Sequence, residues 1–81
     1  MDENEKHLRN VFKTLFRLEE KDISAAEMHN TGEWDSLSHV SLMLEIEGII
    51  SPAKIDDDSF IELTTFRKCL DFVKTCTINN D

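Results

Sequence analysis

The chain has 81 residues, of which 40% are hydrophobic and 32% charged, so it suits one small folded domain and is too apolar for a disordered chain. Its formal net charge is −8, and residues 24–62 hold nine acidic side chains against a single lysine. Such a field repels nucleic acids and anionic membranes and attracts basic protein surfaces. We therefore expect protein partners and no nucleic acid.

Membrane insertion and secretion are also not expected. No run of apolar residues approaches the roughly 18 needed to cross a bilayer, and the first ten residues, MDENEKHLRN, are polar. We expect a single domain spanning residues 1–81 that is monomeric, cytoplasmic and not inserted in a membrane.

The first predicted helix shows apolar residues at helical spacing and fades near residues 17–23. A polar connection follows over about residues 20–33. Within it, SAAE at residues 24–27 is typical of a capping box and predicts one short helical turn. The apolar stripe of the first helix comprises Leu8, Val11, Phe12, Leu15 and Phe16.

The second predicted helix begins at Asp35 or Ser36 and runs to about Ile50. Its apolar residues cover an arc of about 240°, far wider than the stripe of an ordinary surface helix. Such a helix either packs on two sides or offers part of its surface to a partner, so we place it at the centre of a bundle. The arc comprises Leu37, Val40, Leu42, Met43, Leu44, Ile46, Ile49 and Ile50.

The remaining third of the chain predicts two further helices. Pro52 ends the second helix, because proline has no N–H for the helical hydrogen bonds. A short segment at 55–61 carries three consecutive aspartates that suit a helix N-terminus. The last helix starts at Thr64 or Thr65, both suitable capping residues. The sequence thus predicts an all-α fold, a small four-helix bundle of three main helices and one short helix before the last.

The sequence lacks a recognisable catalytic or metal-binding pattern. Consecutive residues of a helix point about 100° apart, so Asp35 does not face Ser36 as a triad would require. The aspartates at 56–58 lack the alternation of a calcium loop. Cys69 and Cys76 would lie roughly 10 Å apart along one helix, too far for a disulfide. We expect no enzymatic activity, no metal and two free cysteines.

Two further side chains are expected to be structural. His39 falls within the apolar arc of the second helix, which favours a packed histidine over a ligand. Trp34 is the only tryptophan, and we expect it to pack the first loop onto the bundle. Taken alone, Ser36 marks a helix start.

Two stretches together resemble the acyl carrier protein and peptidyl carrier protein family. DSL at residues 35–37 opens an apolar helix after a glycine-containing loop, as in that family. IDDDSFIELTTFRKCLDFV at residues 55–73 is similar to the family's short third helix and its fourth. The resemblance covers essentially the whole chain.

The resemblance implies that Ser36 carries a 4′-phosphopantetheine group, transferred from coenzyme A by a phosphopantetheinyl transferase. The chain would be a stand-alone carrier, a phosphoprotein of fatty acid or secondary metabolite biosynthesis that holds an acyl or aminoacyl group as a thioester. Its further partners would be a loading ligase and a downstream acyltransferase or synthase with basic docking surfaces. The docking positions that the resemblance implies are Asp35, Leu37, Val40, Met43 and Glu47.

Four residues depart from the pattern of fatty-acid carriers. Ser38 and Ser41 stand where those carriers usually have acidic residues, which favours a specialised carrier. Phe60 and Cys69 stand where they tend to have alanine beside the acyl cavity. Because interiors are close-packed, a bulky Phe60 favours a short, polar or amino acid cargo held outside the bundle.

The residues themselves leave a second interpretation open. The chain would then be an unmodified acidic helical interaction module, in which Ser36 only starts a helix and the apolar second helix docks a partner helix.

Overall fold

Five helices make up most of residues 3–78, the part of the chain that the computed structural model describes. The predicted all-α fold is confirmed, although two short helices are present where one was expected. Among residues 3–78, none of the helices combines the length and the hydrophobicity of a membrane-spanning segment. The helices are α1 (Glu3–Phe16), α2 (Glu20–Ile23), α3 (Ser36–Ile50), α4 (Asp57–Glu62) and α5 (Phe66–Ile78).

The additional helix, α2, occupies the start of the predicted polar connection. Ser24 is its C-cap residue, so the SAAE stretch follows a helical turn instead of starting one, and the predicted capping box is wrong. A helix of four residues is not stable alone. It is held by buried Ile23 and by the Glu20 carboxylate, which lies 3.1 Å from Arg9 and 3.2 Å from Lys13 of α1.

The helix α1 ends where Arg17 adopts a left-handed backbone conformation, with φ of 56°. This conformation is usual at the residue after a helix, where glycine is favoured because it has no Cβ. Here a residue with a long side chain occupies that position.

Aromatic rings form the centre of the core. The ring of Phe12 makes edge-to-face contacts with Phe16, Trp34 and Phe66 at centroid distances of 5.2, 5.3 and 5.0 Å. This is a preferred geometry for aromatic pairs. The stripe predicted for the first helix therefore faces the core. The largest fully buried side chains are Phe12, Phe16, Phe66, Leu8, Ile23, Leu42, Ile46, Ile50, Val73 and Cys69.

The long loop between α2 and α3 is fixed to the junction of α4 and α5. The backbone N–H of Met28 donates to the Thr64 carbonyl at 2.9 Å, and that of Phe66 donates to the Ala26 carbonyl at 3.0 Å. Thr65 then caps α5, because its Oγ1 accepts from the backbone N–H of Lys68 at 3.1 Å. Of the two predicted caps, the structure uses Thr65.

Both cysteines lie on α5 and are free, as predicted. Cys69 is fully buried, and Cys76 is half-buried. Burial raises the pKa of the Cys69 thiol to about 12 and also raises the pKa of Cys76.

Candidate functional site

The N-terminus of α3 is formed by Asp35, which is the N-cap residue. Its backbone is extended, its Oδ1 accepts from the backbone N–H of Ser38 at 2.9 Å, and its carbonyl accepts from that of His39 at 2.8 Å. The hydrogen bond from Ser38 lowers the pKa of the Asp35 carboxyl. Asp35 thus supplies the cap, and Ser36 is the first residue of the helix proper.

The Ser36 side chain is exposed at this helix start. Among residues 3–78 its hydroxyl makes no hydrogen bond, since the cap is made by Asp35. The free N–H groups and the helix dipole give this end of α3 a partial positive charge. The site therefore presents a hydroxyl to solvent where an attached anion is favoured.

The neighbouring histidine is not available to deprotonate Ser36. Nδ1 of His39 lies 3.0 Å from Nε1 of Trp34, and its Nε2 lies 2.7 Å from the carbonyl oxygen of Phe60. The imidazole is buried and both of its nitrogens are engaged. His39 is therefore a packed histidine, as predicted.

Trp34 fixes the segment that leads into Ser36. Its indole is buried and stacks on Phe16, with ring centroids 4.9 Å apart and planes 15° apart. Its backbone N–H donates to the Thr31 carbonyl at 2.9 Å. The prediction that Trp34 packs the loop onto the bundle is confirmed.

The sequence did not predict the two hydrogen-bond partners of His39, which are Trp34 and Phe60. The sequence placed His39 in the core, but the two residues lie five and 21 positions away from it. Neither separation matches a helical spacing, so no periodicity announces the contacts.

Three of the five predicted docking residues lie on the surface. Asp35 is exposed, and Leu37 and Val40 have exposed fractions of 81% and 45%. Leu44, 64% exposed, extends the same face of α3, since residues 37, 40 and 44 are spaced by about one and two helical turns. We call Leu37, Val40 and Leu44 the exposed strip.

The structure places the other two predicted docking residues differently. Met43 is only 4% exposed, because it lies on the face of α3 that carries Leu42 and Ile46 into the core. The Glu47 carboxylate accepts from the backbone N–H of Ile55 at 3.0 Å and so fixes the loop after α3. Burial withdraws Met43 from any surface, and Glu47 has a structural partner within the chain.

The wide apolar arc of the second helix is thereby explained. One part of it, including Leu42, Met43 and Ile46, faces the core, and the exposed strip faces solvent. On α4, Ile61 is a further exposed apolar residue, with an exposed fraction of 70%.

The three aspartates before and within α4 form a helix start, as predicted. Asp56 is the N-cap, and its Oδ1 accepts from the backbone N–H of Ser59 at 2.8 Å, which lowers the pKa of its carboxyl. Across the described part of the chain, no group of three His, Cys, Asp or Glu side chains is placed to hold a metal ion.

Comparison with models of known protein families gave no match, and comparisons with curated proteins and with solved structures gave no significant match.

Proposed function

We propose that the chain is a stand-alone acyl or aminoacyl carrier whose cargo is held on a 4′-phosphopantetheine arm attached to Ser36. The observation that carries this proposal is an exposed serine at the first position of α3 whose hydroxyl makes no hydrogen bond to any residue among 3–78, with the cap supplied by its neighbour Asp35.

The residues at Ser36 fit a phosphodiester. Its negative charge would lie at the positive end of the α3 dipole, which favours anions. The one adjacent carboxylate, Asp35, is engaged with the backbone N–H of Ser38. When bound, the arm supplies a thiol that carries the cargo as a thioester.

In this proposal the chain positions the Ser36 hydroxyl, and the transferase removes its proton. Asp35 fixes the first turn of α3, and buried Trp34 anchors the preceding loop to α1. Attachment requires the Ser36 hydroxyl to lose its proton to a base of the transferase, because both nitrogens of His39 are engaged.

The proposed partners are a phosphopantetheinyl transferase, a loading ligase and a downstream acyltransferase or synthase. The nine acidic residues among 24–62 favour partners with basic surfaces. The exposed strip begins immediately after Ser36, so a partner that reaches the arm would contact Leu37 first. With Asp35 beside it, this surface combines exposed apolar area with negative charge.

The proposed cargo is short, polar or an amino acid, held outside the bundle. The support for this is the packing between α3 and α4. There the half-buried Phe60 ring packs edge-on against the His39 imidazole at a centroid distance of 4.9 Å. The backbone carbonyl of Phe60 also accepts a hydrogen bond from this imidazole, so the two residues occupy space between the helices.

The experiment is incubation with coenzyme A and several phosphopantetheinyl transferases, followed by intact-mass measurement. We expect a mass gain of one phosphopantetheine unit. Ser36→Ala should show no gain, whereas the matched control Ser38→Ala, two residues further along α3, should be modified normally. No gain with any transferase, or an unchanged gain in Ser36→Ala, would disprove attachment at Ser36.

The alternative proposal is an unmodified acidic interaction module. The observation that favours it is the exposed strip itself. Apolar side chains at helical spacing on one face of α3 can pack against a helix of a partner protein. Under this proposal Leu37→Ser and Leu44→Ser abolish partner binding and Ser36→Ala leaves it intact. Under the carrier proposal Ser36→Ala abolishes function.

A further inference from the structure

Two consecutive hydrogen bonds link the loop before Ser36 to α4. The indole Nε1 of Trp34 lies 3.0 Å from Nδ1 of His39. On the other side of the imidazole, Nε2 lies 2.7 Å from the carbonyl oxygen of Phe60. An indole N–H can only donate, so Nδ1 of His39 accepts from it. The imidazole proton is therefore on Nε2, which donates to the Phe60 carbonyl. His39 is held in one tautomer by a partner on each side.

The two ends of this link are not held equally firmly. Trp34 is buried between aromatic rings of α1, stacked on Phe16 and edge-on to Phe12. The helix α4 has six residues, none of them fully buried, and a helix of that length has little stability of its own. The contacts of Phe60 with His39 are among the ties that hold α4 in place.

The link also encloses Ser36. Ser36 lies two residues after Trp34 and three residues before His39, so the hydrogen bond between those two side chains closes a loop that contains it. The position of α4 is thereby connected, through one imidazole, to the turn that presents the Ser36 hydroxyl.

We propose that His39 is a positioning residue for Ser36, which couples the turn at the start of α3 to the position of α4. Displacement of α4 withdraws the Phe60 carbonyl from His39. The freed imidazole then holds Trp34 less firmly, and the turn around Ser36 loosens. The coupling is reciprocal. If displacement of α4 loosens the turn, a group that loosens the turn destabilises the position of α4 by an equal coupling free energy.

One variant separates the two hydrogen bonds. His39→Asn keeps an oxygen close to the place of Nδ1 and can still accept from Trp34, but it is too short to reach the Phe60 carbonyl. The variant therefore cuts the coupling to α4 and preserves the bond to the indole. A second variant, Asp56→Ala, removes the N-cap of α4 and loosens that helix without a change near Trp34.

The measurement is hydrogen exchange of the Trp34 indole N–H by NMR, which gives a single signal because the chain has one tryptophan. We expect Asp56→Ala to accelerate this exchange severalfold when His39 is present. In the His39→Asn background, Asp56→Ala should cause no further acceleration. Unchanged exchange in Asp56→Ala, or equal acceleration in both backgrounds, overturns the proposal.

A matched control distinguishes the coupling from general destabilisation. Thr65→Ala removes the cap of α5 and lowers the stability of the fold from another place. The two cap variants are compared at equal free energy of unfolding, set with urea. Greater acceleration in Asp56→Ala supports the coupling, and equal acceleration in both variants contradicts it.

A second readout rests on the proposed function and uses the transferase reaction at Ser36. His39→Leu should lower kcat/KM for modification, and His39→Asn should restore part of it, with folding verified by circular dichroism. Modification of His39→Leu at the wild-type rate would refute the positioning role. If the wild-type chain is not modified at all, the proposed function fails, and the indole exchange still decides the coupling.

Discussion

The guanidinium carbon of Arg9 lies 5.1 Å from the centre of the Phe66 ring, so a cation of α1 covers an aromatic ring at the start of α5. The same guanidinium donates to Glu5, Glu20 and Ser24 at 3.1–3.2 Å. A single planar group thereby joins α1, α2 and α5. Lysine has one compact charge and cannot form such a fork.

We predict that Arg9→Lys lowers the free energy of unfolding by about 1–2 kcal/mol, since it loses charge-assisted hydrogen bonds and the contact with Phe66. Urea unfolding followed by circular dichroism measures it. The control is Lys21→Ala, which removes an exposed pair with Glu19 and should change stability by less than about 0.5 kcal/mol. Equal losses in the two variants would contradict the structural role of the fork.

Replacement of His39 by leucine should destabilise the fold by about 1–3 kcal/mol, because it leaves the buried indole N–H of Trp34 without an acceptor. In the Trp34→Phe background that donor is absent, so the same replacement should have a smaller effect. Thermal or urea unfolding of the four proteins gives the interaction energy. Strictly additive losses would show that the hydrogen bond contributes nothing to stability.

Burial distinguishes the two thiols. With a pKa of about 12, Cys69 has almost no thiolate near neutral pH and is covered by the core, so it should resist alkylation in the folded protein. Cys76, half-buried on α5, should react first. Mass spectrometry after iodoacetamide treatment, with and without urea, counts the modified sites. Rapid modification of Cys69 without urea would contradict its burial.

Acid should weaken the fold through Asp35 and Asp56, whose carboxyl pKa values are lowered by backbone N–H donors of Ser38 and Ser59. A folded-state pKa below the unfolded value means that each carboxylate stabilises the fold above its unfolded pKa. This contribution is lost as the pH falls through the folded-state pKa, so stability should decline below about pH 4.

The corresponding variant is Asp35→Asn, which keeps an acceptor but does not titrate, so its stability should vary less between roughly pH 5 and pH 2. Asp71→Asn, at an exposed carboxylate of α5, is the matched control for the loss of one acidic group. Urea unfolding at a series of pH values compares them. Identical profiles for all three proteins would refute the assignment.

Arg17→Gly should raise the free energy of unfolding by about 0.5–1 kcal/mol, because a left-handed conformation is unfavourable for a residue with a Cβ and natural for glycine. Thermal unfolding gives the change. As a control, Arg67→Gly replaces an arginine in the first turn of α5, where glycine lowers helix stability. Destabilisation by Arg17→Gly would argue against strain at this position.

Much of the fold follows from local signals in the sequence. The stripe of α1, the proline after α3 and the cap at Thr65 all act within a few residues, and the structure uses each of them. The short turn predicted at residues 24–27 lies instead at Glu20–Ile23, because the stability of α2 comes from Glu20 contacts with α1 and from one buried isoleucine. Such contacts join residues 7–11 positions apart and leave no periodic pattern.

The candidate site was predicted only in part, because some of its features are local and others depend on tertiary contacts. The helix start at residues 35–36 is a local feature, and the structure has it. Which apolar residues of α3 face solvent depends on how the helix rotates against α1 and α5, so the arc alone could not separate buried Met43 from exposed Leu44. The partners of His39 lie on two other segments, and only the tertiary structure brings them together.

At the start of α3, two neighbouring residues have separate tasks. Asp35 completes the hydrogen bonding of the helix, and the Ser36 hydroxyl is not used by it. Esterification of the Ser36 hydroxyl therefore removes no hydrogen bond from α3, and Ser36→Ala should leave the unfolding free energy within about 0.5 kcal/mol of the wild type. Under the proposed function, the cap of α3 would therefore stay in place whether or not Ser36 carries the arm.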